Sequence, residues 1–417
     1  MQKKMLAVAV ASALGAPALA LAQGASTVQI FGTLYYEYDW ARQGRGGAAD
    51  ATGNIAKRQN VDFLQAPGSE IGFKGEEALG GSLAAWFQCS STLNFTNSTA
   101  GGGAEFCTRN SALGMKGSFG NVFVGRWDTP FKRTISPTNV GGNDTGIFGT
   151  AFLLTGGSTS TLENSNRSTF KRRQGNLISY DSPVFGGFQA MGSVSTANNG
   201  TAGAGTTGTT GQTSSKPRIW SLGAQYSAGP IYVSAGYEKH KEFSAAGGEL
   251  DDHGWHAGAS YRWGPVLFGG QYTRQKFENT GGAGATDAKY RAWTFGVDWT
   301  IVGAHGLRAN YTSVGDAKGN ATNTAAAGAA TTNTLFGGTY RPAPCFGVTV
   351  ATASCSNTGA RLYQIRYVYT FSKRTEANLG YVRLRNDDNA AYALGGLSSP
   401  QIGEKQSAVA FTLKHTF

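Results

Sequence analysis

The sequence predicts an all-β fold, a transmembrane antiparallel β-barrel of sixteen strands, and three observations predict it. Side chains alternate between apolar and polar at period two in segments that recur from Val28 to Phe417, as in a sheet with lipid on one face and water on the other. After residue 22 no apolar run approaches the ~20 residues that a membrane-crossing helix needs, whereas a barrel strand needs only ~10. The connections between alternating segments are short and long by turns, the asymmetry of a membrane barrel with tight turns on one side.

The first element is not part of the barrel. Lys3 and Lys4 precede a short apolar stretch from Met5 to Ala16, and Ala20-Leu21-Ala22 offers small residues for cleavage. Residues 1–22 therefore read as a signal peptide, and residues 23–417 as one barrel domain. Without the two leader lysines the formal charge of +11 becomes +9. The mean hydropathy of −0.26 would suit a water-soluble chain. It also suits a barrel, because only every second side chain of a strand meets lipid. A basic balance is compatible with nucleic acid, a polyanionic surface or an anion path, and export excludes nucleic acid as the partner.

The strands are clearest towards the C-terminus. Trp293, Phe295, Val297, Trp299 and Ile301 share one face against Thr294, Gly296, Asp298 and Thr300. Tyr363, Ile365, Tyr367, Tyr369 and Phe371 alternate with Gln364, Arg366, Val368 and Thr370. Val409, Phe411, Leu413, His415 and Phe417 alternate with Ala410, Thr412, Lys414 and Thr416. No long window carries the 3.6 period of a helix.

Short connections fall near Ala78–Gly81, Gly117–Gly120, Pro183–Gly187, Ala228–Pro230, Gly264–Pro265, Val302–Gly306 and Ser372–Arg374. Long ones fall near Ala41–Lys57, Thr96–Ala104, Thr129–Arg167, Asn198–Lys216, Phe243–Asp252, Glu278–Asp287, Gly315–Gly359 and Asp387–Glu404. Seven short and eight long connections join sixteen strands and put both chain ends on the short-turn side. Asn198–Lys216 and Ala321–Thr334 are tracts of small polar residues that cannot bury a core and read as exposed tips. Leu335–Tyr340 is a candidate short strand inside the longest loop.

Several motifs, in order along the chain, carry a resemblance. They are Val28-Gln29-Ile30-Phe31-Gly32; Ile71-Gly72-Phe73-Lys74-Gly75-Glu76-Glu77-Ala78-Leu79-Gly80-Gly81; and Gly125-Arg126-Trp127-Asp128-Thr129-Pro130-Phe131. Tyr180-Asp181-Ser182-Pro183, Phe185-Gly186-Gly187-Phe188 and Ser372-Lys373-Arg374-Thr375 continue the series, and Phe417 ends an alternating strand. Together they resemble the Gram-negative general porin family, in particular its betaproteobacterial branch. The resemblance implies a homotrimer of sixteen-stranded barrels in the outer membrane, surrounded by lipid including lipopolysaccharide. Periplasmic chaperones and the barrel-assembly machinery are the partners it implies during biogenesis. It further implies a third loop, about residues 129–167, folded inward to narrow each pore, with loop acids facing wall cations. The function expected is passive diffusion of small hydrophilic solutes and ions, without a cofactor.

Strand parity then suggests which groups line the constriction. Ile71 and Phe73 point outward, so Glu70 and Lys74 point inward; Lys171 and Arg173 lie opposite Ile178 and Tyr180 and point inward. Arg109 stands before Lys116 as the family's wall arginine stands before its turn. The loop contributes Asp144, with Asp128 at its root, and also Lys132 and Arg133. Glu70 departs from the family, which usually has Arg there; it is placed to pair with Arg109 or Lys74 or to weaken anion preference. A modest anion preference is the expectation. Arg126 shares parity with Val122 and Val124 and reads as a structural or subunit-contact residue.

The four cysteines suggest two bridges, Cys89–Cys107 across the second long loop and Cys345–Cys355 within the seventh. Parity places Cys89 with outward Phe87 but Cys107 with inward Arg109, a conflict that a bulge would resolve. Enzyme and metal signals are poor. There are five histidines, and His253 and His256 are not set in a metal-binding motif. The alternatives are a solute-specific channel, which needs a ladder of inward aromatics, and a barrel adhesin or enzyme, which needs an interior catalytic group.

Overall fold

The computed structural model describes residues 28–43, 59–93, 95–96, 106–142, 145–155, 170–196, 218–241, 251–278, 287–319, 322–323, 345–346, 356–388, 390, 392–397 and 403–417. The strands are β1 (Gln29–Gln43), β2 (Gln59–Gln65 and Glu70–Gly80), β3 (Leu83–Thr92), β4 (Ser111–Gly117), β5 (Gly120–Asp128), β6 (Arg173–Asp181), β7 (Phe188–Ser195) and β8 (Arg218–Ala228). They continue as β9 (Ile231–Lys241), β10 (Asp251–Trp263), β11 (Val266–Glu278), β12 (Asp287–Val302), β13 (His305–Val314), β14 (Ala360–Ser372), β15 (Thr375–Asn386) and β16 (Lys405–Thr416). Each pairs antiparallel with the next, and β16 returns to β1 in continuous register from Thr33–Thr416 to Gln43–Gln406. The result is a closed barrel of sixteen strands, which leaves no sheet edge unpaired in lipid.

The second strand is interrupted at Pro67-Gly68 and repaired by a side chain. Pro67 has no N–H, and Gly68 takes a left-handed φ of 73°. Ser69 Oγ accepts from the Tyr35 amide at 2.9 Å and donates to the Tyr35 carbonyl at 3.1 Å, bridging the missing rungs.

The alternation read from the sequence is the geometry of the wall. Trp293, Phe295, Trp299 and Ile301 are exposed on the outside of β12, while Thr294 and Gly296 are buried inside. On β9 to β12 the outward side chains are apolar from the short turns upward and give way to basic or polar side chains within one row of each other. They run Ile231 to Tyr237 before Lys239, Trp263 to Trp255 before His253, Phe268 to Tyr272 before Arg274, and Ile301 to Trp293 before Arg291. At about 3.3 Å per residue the two longest runs, Trp263 to Trp255 and Ile301 to Trp293, extend about 26 Å along their strands, the scale of the ~25 Å band that lipid requires.

The interior is not an empty tube. The third connection and part of the eighth fold inward and meet. Ile147, Phe148, Leu153 and Leu154 of the third connection are buried with Tyr392, Leu394 and Leu397 of the eighth, against Leu362, Val382 and Leu384 of the wall. Fully burying a side chain of this size contributes about 1.5–3 kcal/mol, so the two loops are held as part of the core. Tyr392 is also clasped by Asn386, which donates to its carbonyl and accepts from its amide, both at 2.9 Å.

Cys89 and Cys107 form a disulfide. The parity conflict is removed without a bulge in β4, because that strand begins only at Ser111 and Cys107 sits in a turn with a left-handed φ of 63°. The expected leader 1–22, the low-complexity tract 198–216, the candidate strand Leu335–Tyr340, Asp144 and the Cys345–Cys355 bridge lie outside the described residues.

Candidate functional site

The third connection leaves β5 at Thr129 and forms α1 (Pro130–Ile135), with Pro at the start of the helix, where a missing N–H costs nothing. From there it travels round the inner wall, tied at each strand by polar side chains. Ser221 on β8 accepts from the Phe131 amide at 3.0 Å, Ser234 on β9 donates to the Thr134 carbonyl at 2.7 Å, and His256 on β10 shares a 2.9 Å bond with Thr134. Thr138 donates to Gln271 on β11 at 2.8 Å, Asn310 on β13 donates to the Val140 carbonyl at 2.8 Å, and Arg366 on β14 donates to the Gly141 carbonyl at 2.7 Å. The loop then reaches β1, where Glu37 accepts from the Ile147 amide at 2.8 Å. It returns through α2 (Ala151–Thr155), whose Leu154 carbonyl accepts from both Thr273 and Gln275 of β11 at 2.6 Å.

This close approach is possible because the wall is stripped of side chains beneath the loop. A Cβ at Gly223 would meet Thr134 and Pro130, at Gly258 Thr138, at Gly269 Val140, and at Gly296 the Val140 carbonyl. These inward glycines, on β8, β10, β11 and β12, form a trough, and the loop lies in it.

The charges gather at the loop's root. Glu70 on β2 accepts from Arg109 Nε at 2.6 Å and from Ser90 Oγ at 2.8 Å. Asp128, at the end of β5, is met by Lys132 Nζ of α1 at 2.7 Å and by Arg173 Nε of β6 at 3.1 Å. Asn110 joins the two, accepting from Arg173 Nε at 2.7 Å and from the Asp128 amide at 3.1 Å. Arg126 is near enough to act on the charge of Arg173. Arg109, Lys132 and Arg173 thus face two carboxylates, Glu70 and Asp128. Burial pulls the Lys132 pKa below its ordinary 10.5, against the opposing pull of Asp128. Beside the cluster, Arg133 binds Asp181 of β6 with two bonds of 2.7 and 2.8 Å. Farther round, Arg308 is held by Glu376 at 3.0 and 3.1 Å and by Asp298 at 3.0 Å.

Of the residues predicted from sequence, Glu70, Arg109, Asp128 and Arg173 are brought together. Lys74 points inward from the same strand, but lies nearer the short turns, over the Phe31 ring at 5.4 Å. Lys171 is half-buried and precedes β6, so strand parity does not govern it; its neighbour Arg172 is buried and donates to Gln174 at 2.6 Å. Sequence reasoning missed the pairings of Lys132, Arg133 and Arg308, and it missed Glu37 and Asp39, both buried on β1 and both bonded by Gln65 at 2.6 and 2.7 Å. Acids at successive inward positions of an otherwise aromatic strand were the available signal. Among the described residues no three His, Cys, Asp or Glu side chains stand together as a metal site.

The sequence profile of the Gram-negative porin family matches residues 7–389. The major outer membrane protein P.IB of Neisseria gonorrhoeae is 32% identical over 152 residues, 36% of this chain and 38% of that protein. Its counterpart from Neisseria meningitidis serogroup B is 27% identical over 248 residues, 58% of this chain and 61% of that protein. The chain thus spans between 38% and 61% of the length of these relatives. Among solved structures, an anion-selective porin from Comamonas acidovorans superposes with a TM-score of 0.66 at 23% identity, over 94% of this chain and 100% of that one. The trimer form of OmpT from Vibrio cholerae superposes with a TM-score of 0.56 at 15% identity, again over 94% of this chain and 100% of that one. Because the family profile matches residues 7–389 and the wall closes as sixteen antiparallel strands, this protein belongs to the Gram-negative porin family and resides in the outer membrane.

Proposed function

We propose that the protein is a passive diffusion channel for small hydrophilic solutes and ions, with a modest preference for anions, working as a homotrimer. The observation that carries the reading is the cluster at the root of the third loop, where Arg109, Lys132 and Arg173 face Glu70 and Asp128. One cation is in excess there, beside a loop that narrows the barrel, and a charged constriction sets ion preference. The anion-selective Comamonas porin and the trimeric Vibrio protein support the same reading. Export on a leader at 1–22, delivery by periplasmic chaperones and the barrel-assembly machinery, and a lipid surround that includes lipopolysaccharide belong to it. The test is a planar-bilayer recording under a salt gradient. Current steps in threes and a reversal potential of the anion-preferring sign are expected; a cation-preferring sign sinks the selectivity.

One observation favours a narrower reading, a channel that retains particular solutes. Trp86, Phe123 and Trp127 pack on the inner wall with ring centroids 5.4 to 5.7 Å apart. They line a cavity of about 470 Å³ shared with Lys74, Lys116 and Arg133. Such a surface fits a small aromatic carboxylate. Saturating block of the current by benzoate, absent for acetate, would distinguish this reading from free diffusion.

A further inference from the structure

A barrel wall that borders a water channel carries polar side chains inward. At the long-loop end of β14 to β16 the inward positions are instead Leu362, Val382, Leu384, Ala408 and Ala410, all buried. The third and eighth connections cover them, so this side of the lumen is filled by protein. The charged groups Glu70, Arg109 and Arg173 stand elsewhere round the wall, between β2 and β6, and keep 16 to 25% of their side-chain surface exposed. The path left for a solute runs past them.

The far end of the third connection, Thr145 to Phe148, is tied to the wall by three bonds. Thr145 Oγ1 donates to the Pro67 carbonyl at 3.0 Å, the Ile147 amide donates to Glu37 at 2.8 Å, and Gln364 Nε2 donates to the Phe148 carbonyl at 2.8 Å. Arg366 lies over the Phe148 ring, 4.8 Å from its centroid. Gly146 takes a φ of 69°, and a Cβ there would strike the Glu37 carboxylate.

The eighth connection packs on the same end. A Cβ on Gly395 would strike the Gly146 carbonyl, and one on Gly396 would strike Phe63 and Gln65 of β2. Gln65 is the amide that bonds both Glu37 and Asp39. The eighth connection therefore reaches past β1 and seats on two groups that position the end of the third: the backbone of Gly146 and the side chain that orients Glu37. Its own course is fixed, since the Leu394 amide donates to Gln406 at 2.8 Å and the Gly403 amide to the Ala390 carbonyl at 2.8 Å. Hydrogen bonds open to lumen water gain little, because water competes for both partners. Leu394 and Leu397, buried against Ile147 and Phe148, exclude that competitor.

We propose that the eighth connection is a second determinant of the size limit of the pore, with Leu394, Gly395 and Leu397 as positioning residues that clamp the Gly146–Phe148 end of the third connection against β1. The aperture is then set by two loops, one that narrows the lumen and one that keeps the first from lifting. The proposal rests on the diffusion-channel reading and adds to it the part of the chain that fixes how large a solute passes.

The test uses the full-length protein in planar bilayers. Conductance, the reversal potential under a salt gradient, and the largest neutral polyethylene glycol that enters and lowers the current are measured, and amide hydrogen exchange of residues 146–154 is followed on the same preparations. Leu394→Ala with Leu397→Ala should raise conductance about twofold and admit a larger polymer. Exchange across 146–154 should quicken about tenfold through local opening, with the reversal potential unchanged because the charges at the loop's root are untouched. Leu394→Met with Leu397→Met conserves the volume and should match the wild type in every readout. A wild-type polymer limit in the alanine variant overturns the proposal. So does a larger limit without faster exchange at 146–154, which would make the eighth connection an obstruction in its own right rather than a clamp. Equal changes in the methionine and alanine variants also overturn it. A wild type that conducts nothing would refute the channel reading, and exchange at 146–154 would still decide whether the eighth connection clamps the third.

Discussion

The same four strands, β9 to β12, present two unlike faces. Inside, polar side chains of the wall bond the third loop: Ser234 and His256 bond Thr134, Gln271 bonds Thr138, and Thr273 and Gln275 converge on the Leu154 carbonyl. Glycine replaces any side chain that would keep the loop away. Outside, at the long-loop end, Lys276 faces Lys289 and Arg274 faces Arg291. The inner face is occupied by a loop of the same chain. On the outer face Lys276 and Lys289 are paired with Glu278 and Asp287, while among the described residues no carboxylate lies within ion-pair distance of the opposed Arg274 and Arg291. The difference teaches that a barrel wall records two kinds of selection at adjacent positions, one for a fixed internal loop and one for its surroundings.

The inner face breaks most severely at Gly296. Gly296→Leu puts a side chain where the Val140 carbonyl lies, and overpacking of this kind costs about 1–3 kcal/mol. The third loop should leave the trough, with a severalfold rise in single-channel conductance and new protease cleavage near residue 140. Unchanged conductance would show that the loop does not define the opening.

Next in size is the charge cluster. Replacing Arg109 and Arg173 together by Glu turns three cations against two acids into one against four, and the reversal potential should change to the cation-preferring sign. The single variant Glu70→Gln should move it the other way. Conductance at high salt should change little in either, because screening shortens the reach of the field to about 3 Å at 1 M.

A smaller effect is tied to pH. Burial lowers the Lys132 pKa below 10.5, so the ammonium loses its proton earlier than an exposed lysine as pH rises. Anion preference should therefore fall in the alkaline range below 10.5, the cluster losing its excess cation, and recover on return to neutral pH. Lys132→Met should be less selective at neutral pH and should lack this step.

The least effect on transport is expected on the outer face. Arg274→Gln with Arg291→Gln removes an opposed pair of like charges, each outside the lumen. In detergent free of anionic lipid, the melting temperature should rise slightly, and conductance should stay at the wild-type value. A fall in conductance would mean that the two faces are coupled through the strands.

Much of this was legible in the sequence, for a simple reason. Period-two alternation fixes which way a side chain points, so the outward Trp293, Phe295 and Trp299 and the inward Glu70 could be placed residue by residue. Parity does not give register. Nothing in the one-dimensional string says that Lys276 will stand opposite Lys289, or that Arg133 will find Asp181 across a long loop. Parity also says nothing outside a strand, and Cys107 and Lys171 both lie before their strands begin. The inward glycines were visible as letters, but their purpose depends on a loop whose path was known only by resemblance. The inward fold of the eighth connection was missed for a related reason. Tyr392, Leu394 and Leu397 are a short apolar run in a segment read as an external loop, and their burial depends on meeting Ile147 and Phe148.

The join between the first and last strands carries a consequence for biogenesis. Gly32 exchanges both backbone bonds with Phe417, at 3.0 and 3.1 Å, and the ladder above them runs without a gap to Gln43 and Gln406. A chain lacking residues 405–416 would leave the edges of β1 and β15 unpaired in the bilayer, whatever the quality of the thirteen strands between them. Loss of β16 alone should therefore prevent closure as fully as loss of a strand from the middle of the wall.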